Sequence, residues 1–284
     1  MPRVILLGAS NVTLAFPRLV RGLHRAFPEP LELFAAHGHG RSFGIWNRIG
    51  PRELPGIVPC RLWDDLAAQP TSEDPPRTLI TDIGNDLMYG VEPDQIAVWV
   101  ATCLERLLAM RARIVLTQLP LASARTLGRA RFQFFRTLFF PNSQIQFEDI
   151  EAKATRLNQL IVDLGRQFDI PTPELRGEWY GFDPIHIRGR HRAAAWQELL
   201  ASWFDDPKTA VFRAVSPNDS LHLWRQRPCE RRWFGREQHS SQPVLRQRCS
   251  ESFGLTARKS ATCGWSNHEA STSRQAAARC RRRM

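Results

Sequence analysis

The sequence predicts an α/β protein: a parallel sheet with helices packed on both faces. Two observations carry this. Short apolar runs alternate with segments of helical period over roughly the first 205 residues, the pattern of strand–helix–strand units. Short polar segments follow those runs, at the carboxyl edge where an open parallel sheet gathers its ligand-binding loops.

The elements follow in order. Residues 3–8 read as a buried strand ending at Gly8, and Leu31–Ala36 as a second. Thr78–Asp82 and Ile114–Gln118 read as the third and fourth. A short fifth lies near Ile170–Leu175, interrupted by two prolines, which lack the N–H that a ladder needs. Between the strands, Pro17 suits the first turn of a helix carrying Leu19, Val20, Leu23 and Phe27 on one face. Ile96, Trp99, Val100, Cys103, Leu104, Leu107 and Leu108 recur at i, i+3, i+4 and i+7. Ile150, Ala154, Leu157, Ile161, Leu164 and Phe168 do the same, and Trp196–Phe204 marks a last helix.

Composition excludes several classes. No apolar run of roughly 18 residues exists, so no membrane-spanning helix is expected. The run Val4–Leu7 is too short for a secretory signal core, so a cytoplasmic location is expected. The net charge of +11 is unevenly spread: ten Arg and Lys against three Glu lie from Arg236 onward, and the body up to Trp224 is close to neutral. The charge therefore belongs to the end of the chain and implies no specific nucleic-acid ligand, only non-specific attraction of polyanions by the tail. Periodicity stops near Asp206. Residues 1–206 are expected to form one domain. Residues 207–284, rich in Arg, Ser, Gln and Cys, are expected to form a disordered basic tail or to be non-native translation. None of the six cysteines forms a Cys-x-x-Cys pair, which leaves a zinc site unsupported.

Four segments carry candidate chemistry. Strand one ends in Gly8-Ala9-Ser10-Asn11, strand two in His37-Gly38-His39-Gly40-Arg41-Ser42, strand three in Asp82-Ile83-Gly84-Asn85-Asp86. Asp183-Pro184-Ile185-His186 precedes the last helix. A serine on a strand-end turn is a candidate nucleophile. A glycine lets a backbone N–H approach a substrate oxygen. An asparagine amide can donate to a developing oxyanion. An Asp three residues before a His can orient the imidazole that takes the serine proton. Each segment alone is also ordinary turn chemistry. Together they fall in order on one edge of the sheet. The pair His37 and His39 gives no metal case without further clustered ligands. The aromatic run Phe132–Phe140, interleaved with Arg129, Arg131 and Arg136, reads as a packed helix, or as a lid or acyl-binding wall.

This set of segments resembles the SGNH/GDSL hydrolase family over roughly residues 3–205. Ser10 matches the nucleophile of the first block, Gly40 the glycine of the second, Asn85 the asparagine of the third, and Asp183 and His186 the Asp-x-x-His of the fifth. Gly38 competes with Gly40, which is preferred for the polar pair after it. The resemblance implies a three-layer α/β/α sandwich on a five-stranded parallel sheet, flavodoxin-like in arrangement. It also implies a Ser10–His186–Asp183 triad and an oxyanion hole of Ser10 N–H, Gly40 N–H and the Asn85 side chain. The implied activity is ester hydrolysis through an acyl-enzyme on a small-molecule or carbohydrate ester, without cofactor or metal. The alternatives are acyl transfer on the same triad, or a catalytically inactive binding protein of this fold. The departure is Ala9, where the family usually has Asp. A dinucleotide-binding reading fails because the Gly-x-Gly-x-x-Gly spacing is absent.

Overall fold

The computed structural model describes residues 1–27, 30–141, 143–206, 212–213 and 230–246. Their centre is the sheet formed by β1 (Arg3–Leu7), β2 (Glu32–Ala36), β5 (Arg77–Ile80) and β6 (Arg113–Leu116). All three pairings among these strands are parallel, in the order β6-β5-β1-β2. The register matters for function: Leu7 lies level with Ala36 and with Ile80, and Ile80 with Leu116. The strands therefore end together, and Gly8, His37 and Thr81 start their loops along one edge.

The strands are buried apart from the first residues of β5 and β6, as a doubly covered parallel sheet requires. Every residue of β1 and β2 is buried. Alternation then splits the core. Val4 and Leu6 pack with Leu19 and Leu23 of α1 (Ser10–Ala26) and Trp196 of α8 (Arg192–Leu199). Ile5 and Leu7 face the other way, toward Leu66 of α2 (Leu62–Ala67), Val100 and Leu104 of α4 (Pro93–Ala109) and Leu157 and Ile161 of α7 (Phe147–Gln167). Each such side chain contributes about 1.5–3 kcal/mol of transfer free energy. The three layers of the predicted fold are thus present.

Three expectations need correction. The fifth strand of the sheet is not Ile170–Leu175 and is not parallel: it is β9 (Leu245–Arg246), antiparallel to β2. Residues 170–175 run beside β6, accepting N–H bonds from Leu116 at Pro171 O (3.1 Å) and from Gln118 at Pro173 O (3.1 Å). Prolines at those two positions cannot donate in return, so no ladder forms. Secondly, Pro17 is not in the first turn; α1 begins at Ser10 and contains Pro17 internally, leaving the Thr13 carbonyl without its helical donor. Thirdly, a domain boundary at 206 does not hold for residues 230–246. Here β7 (Glu230–Trp233) and β8 (Arg236–His239) form a hairpin that joins β3 (Asn47–Ile49) and β4 (Arg52–Leu54) in a second, antiparallel sheet of order β3-β4-β7-β8. The remainder of the expected tail, 207–211, 214–229 and 247–284, lies outside the described residues. No helix among the described residues is long and apolar enough to cross a membrane.

Candidate active site

Ser10 is the first residue of α1, three residues past the end of β1. A strand running straight into a helix leaves the first helical N–H groups without partners, and Ala9 offers no side chain to cap them. Asp82, just beyond β5, supplies the cap. Its Oδ2 accepts from the N–H of Ala9 and of Asn11, both at 2.9 Å, and from Val12 at 3.4 Å. A carboxylate there also meets the positive end of the helix dipole. To reach it, Asp82 takes a left-handed backbone (φ 61°), which Asp tolerates better than most residues.

Asn11 joins this turn to the loop carrying Asp183 and His186. Its Nδ2 donates to Asp82 Oδ1 (2.8 Å) and to Ile185 O (2.9 Å), and its Oδ1 accepts from Ile187 N–H (2.8 Å). Within the loop, Asp183 Oδ1 accepts from the N–H of Ile185 (2.9 Å) and His186 (3.1 Å). Its Oδ2 lies 2.6 Å from His186 Nδ1. Burial pushes the Asp183 carboxyl up, but the hydrogen bond and charge of His186 and the two N–H groups outweigh it, so its pKa lies below the ordinary value. An ionised Asp183 bonded at Nδ1 directs the lone pair of a neutral His186 to Nε2.

Ser10, Gly40, Asn85 and His186 line one cavity, with His39, Ile49 and Phe139. Phe139 meets the His186 ring edge-on, 5.1 Å between centroids. Gly40 has φ 65°, and a Cβ there would sit 2.6 Å from Ile49 Cδ1 and 2.8 Å from Tyr89 Oη; backbone and space both require glycine. Tyr89 donates its hydroxyl to Gly40 O at 2.5 Å. Gly38 is not among the residues lining this cavity. Asn85 opens α3 (Asn85–Met88) and donates through Nδ2 to Arg41 O at 3.4 Å, leaving its second amide hydrogen for the cavity. The loop holding Gly40 is tied to α3 by Asp86, whose buried carboxylate accepts from the Ser42 hydroxyl and from Phe43 N–H (2.9 Å). Burial pushes the Asp86 pKa up to about 6, against the lowering by those two donors.

The two histidines of the second segment part company. His39 lines the cavity. His37 is packed 4.5 Å from the Phe16 ring, with Nδ1 2.9 Å from Thr13 Oγ1. The Thr13 hydroxyl already donates to Ala9 O at 2.7 Å, so His37 Nδ1 carries the proton of that contact. Burial first, then Arg41, His39 and Arg52, lower the His37 pKa to about 3. His37 packs half-buried against α1 and is not among the residues lining the cavity. Among the described residues no group of three or more His, Cys, Asp or Glu could hold a metal ion.

Sequence reasoning missed the roles of Asp82 and Asn11, although both stand in the quoted segments. The only sequence signal was a charged residue at the end of a buried strand. In α6 (Arg129–Phe139) the aromatic run packs as a helix through the buried Phe132 and Phe135, and Phe139 lines the cavity beside His186.

A scan against protein-family models finds no match, and a search of curated proteins finds none. Solved structures do match. The chain is similar to a psychrotrophic esterase from Pseudoalteromonas sp., at 12% identity and a TM-score of 0.45, over 72% of this chain and 98% of that one. It is similar to the native aryl esterase of M. smegmatis at 17% identity and a TM-score of 0.48, over 72% and 100%. The inhibitor-bound form of that enzyme matches at 18% identity and a TM-score of 0.47, over 70% and 100%.

Proposed function

We propose that the chain is a serine ester hydrolase of the SGNH/GDSL type, with Ser10 as nucleophile, His186 as general base and acid, and Asp183 as the group that orients His186. One observation carries the reading: His186, held at Nδ1 by Asp183 at 2.6 Å, lines the same cavity as Ser10, Gly40 and Asn85.

In this mechanism Ser10 Oγ attacks the ester carbonyl while its proton passes to His186 Nε2. The negative charge that develops on the carbonyl oxygen is received by Ser10 N–H, Gly40 N–H and the Asn85 amide. Collapse of the tetrahedral intermediate expels the alcohol, which takes the proton from His186. Water then repeats the sequence on the acyl-enzyme, giving its proton to His186, and Ser10 Oγ leaves with that proton as the acid is released. No cofactor enters any step. Ala9, the departure from the family pattern, does not leave the Ser10 turn without a carboxylate: Asp82 provides one from the loop after β5.

The test is covalent and kinetic. Intact-mass spectrometry after a serine-directed phosphonate should give one adduct, mapped to Ser10. Ser10→Ala should abolish turnover of p-nitrophenyl esters while keeping the wild-type melting curve. An adduct elsewhere, or full turnover in Ser10→Ala, overturns the assignment of Ser10; no adduct and no turnover in the wild type leaves the binding-protein reading.

A further inference from the structure

A second cavity lies directly behind the first. Asn85, Phe140 and Ile185 form part of the wall of both. Its empty space, counted together with the solvent at its mouth, is about 930 Å³. It sits where α5 (Leu121–Arg125) and α6 cover the carboxyl ends of β5 and β6, and its surface is mostly hydrocarbon, from such residues as Leu87, Leu119, Leu127, Phe132, Phe135 and Ile150.

The polar side chains of its wall are largely spent on the protein. Asn11 and Asp82 bond one another and the backbone around Ser10. Gln118 donates to Thr172 O at 2.9 Å and accepts from Asn158 at 3.0 Å. Arg136 is turned to the carbonyls of Ser143 and Ile145, both at 3.3 Å. Among these wall residues the Tyr180 hydroxyl is buried without a partner. A ligand here therefore meets hydrocarbon, that hydroxyl and, at the shared wall, the Asn85 amide, so a charged or sugar-like group would lose its hydration for few new hydrogen bonds.

We infer that this cavity is the acyl pocket of the enzyme, and that its substrates are esters of apolar, medium-chain or aryl carboxylic acids rather than acetyl esters. The inference rests on the hydrolase reading above. The shared wall is its geometric basis: an acyl group whose carbonyl carbon sits beside Ser10, with its oxygen toward Asn85, can pass Ile185 and Phe140 into this space. The same geometry gives α6 one function with two ends, since Phe139 stands against His186 while Phe132 and Phe135 wall the pocket.

Burying each added methylene should raise kcat/KM about four-fold until the pocket is full. The experiment uses the full chain and p-nitrophenyl acetate, butyrate and octanoate, with Ala124→Phe and Leu127→Trp to fill the pocket and Leu127→Ala to enlarge it. Both residues line this cavity and neither lines the one holding Ser10 and His186. Circular dichroism and melting verify that each variant folds. The expected result is wild-type preference for octanoate, a loss of about ten-fold or more on octanoate in the filled variants with acetate turnover kept, and a shift toward longer chains in Leu127→Ala. A parallel titration with cis-parinaric acid reads the pocket without turnover: wild type and Ser10→Ala should bind it, Ala124→Phe should not. Equal chain-length preference in all folded proteins, or parinaric binding that is absent in wild type or unchanged in Ala124→Phe, overturns the inference. No ester turnover in the wild type, with parinaric binding lost in Ala124→Phe, sinks the hydrolase reading and leaves the apolar pocket standing.

Discussion

Asp82 is the residue on which the candidate site turns. Its carboxylate accepts from three backbone N–H groups and one amide, and it does so from a strained backbone. Asp82→Asn keeps the size and the tolerance for φ near 61°, but it turns one acceptor into a donor facing Asn11 Nδ2. The expected cost is that of a lost charged cap, about 1–2 kcal/mol, read as a lower urea midpoint at constant slope; an unchanged midpoint refutes the cap. Asp86 makes a different prediction because its pKa is raised. Unfolded, an Asp titrates near pH 4; folded, this one titrates at about 6. Between those values the native state binds the proton more than the unfolded chain does, so stability falls as pH rises from about 4 to 6. Asp86→Asn, the neutral isostere of the protonated acid, should lie closest to the wild type at low pH and should lack this component of the slope. Melting temperatures of the two proteins across pH 4–7 measure it; parallel curves would show that Asp86 does not titrate there.

At the level of elements, the candidate site is an alignment of strand ends. The sequence made much of this legible, because buried parallel strands are apolar without alternation, and the turns after Leu7, Ala36 and Ile80 carry Ser10, Gly40 and Asn85 within a few residues. The loop before α8 is positioned less by its own sequence than by Asn11, which reaches it across 174 residues. Such a stitch has no local signal: an Asn after a strand-end serine reads as turn chemistry until its partners are known. Asn11→Ala should free the Asp183–His186 loop while leaving both side chains present. Since a displacement of about 1 Å can cost about 100-fold in rate, kcat on the preferred ester should fall by about that factor with KM little changed, and Asn11→Asp should not restore it, because the added charge would face Asp82. Loss confined to KM would place Asn11 in substrate binding instead. The fifth position of the sheet was illegible for a related reason. Residues 170–175 do lie along β6, but Pro171 and Pro173 have no N–H, so the apolar pattern predicts a strand that the backbone cannot complete.

The whole molecule reaches further along the chain than hydrophobic rhythm suggests. Residues 230–246 escaped notice because Glu-Arg-Arg-Trp and Arg-Glu-Gln-His have no apolar alternation. They pair through their backbones, and on one face Arg232 bonds Glu237 at 2.8 Å and covers the Trp46 ring at 4.3 Å. The segment after them closes the outer edge of the main sheet. Val244 N–H donates to Leu33 O at 2.7 Å, and the buried Gln242 side chain both accepts from Ala35 N–H (3.2 Å) and donates to Ala35 O (3.3 Å). A chain ending at Trp224 loses all of these and leaves β2 as a bare edge. A chain ending at Cys249 keeps them and removes seven Arg and Lys against two Glu. Three or so net hydrogen bonds at about 1 kcal/mol each predict a melting midpoint about 5–10 °C lower for the shorter chain than for the longer. Retention on DNA at low salt should follow a different order: it should weaken already in the Cys249 chain, and its salt dependence should flatten with the positive charges removed. Equal melting of the two truncated chains would show that residues 225–249 are dispensable to the sheet. Undiminished, salt-sensitive retention of the Cys249 chain would move polyanion attraction from the basic end of the chain to its body.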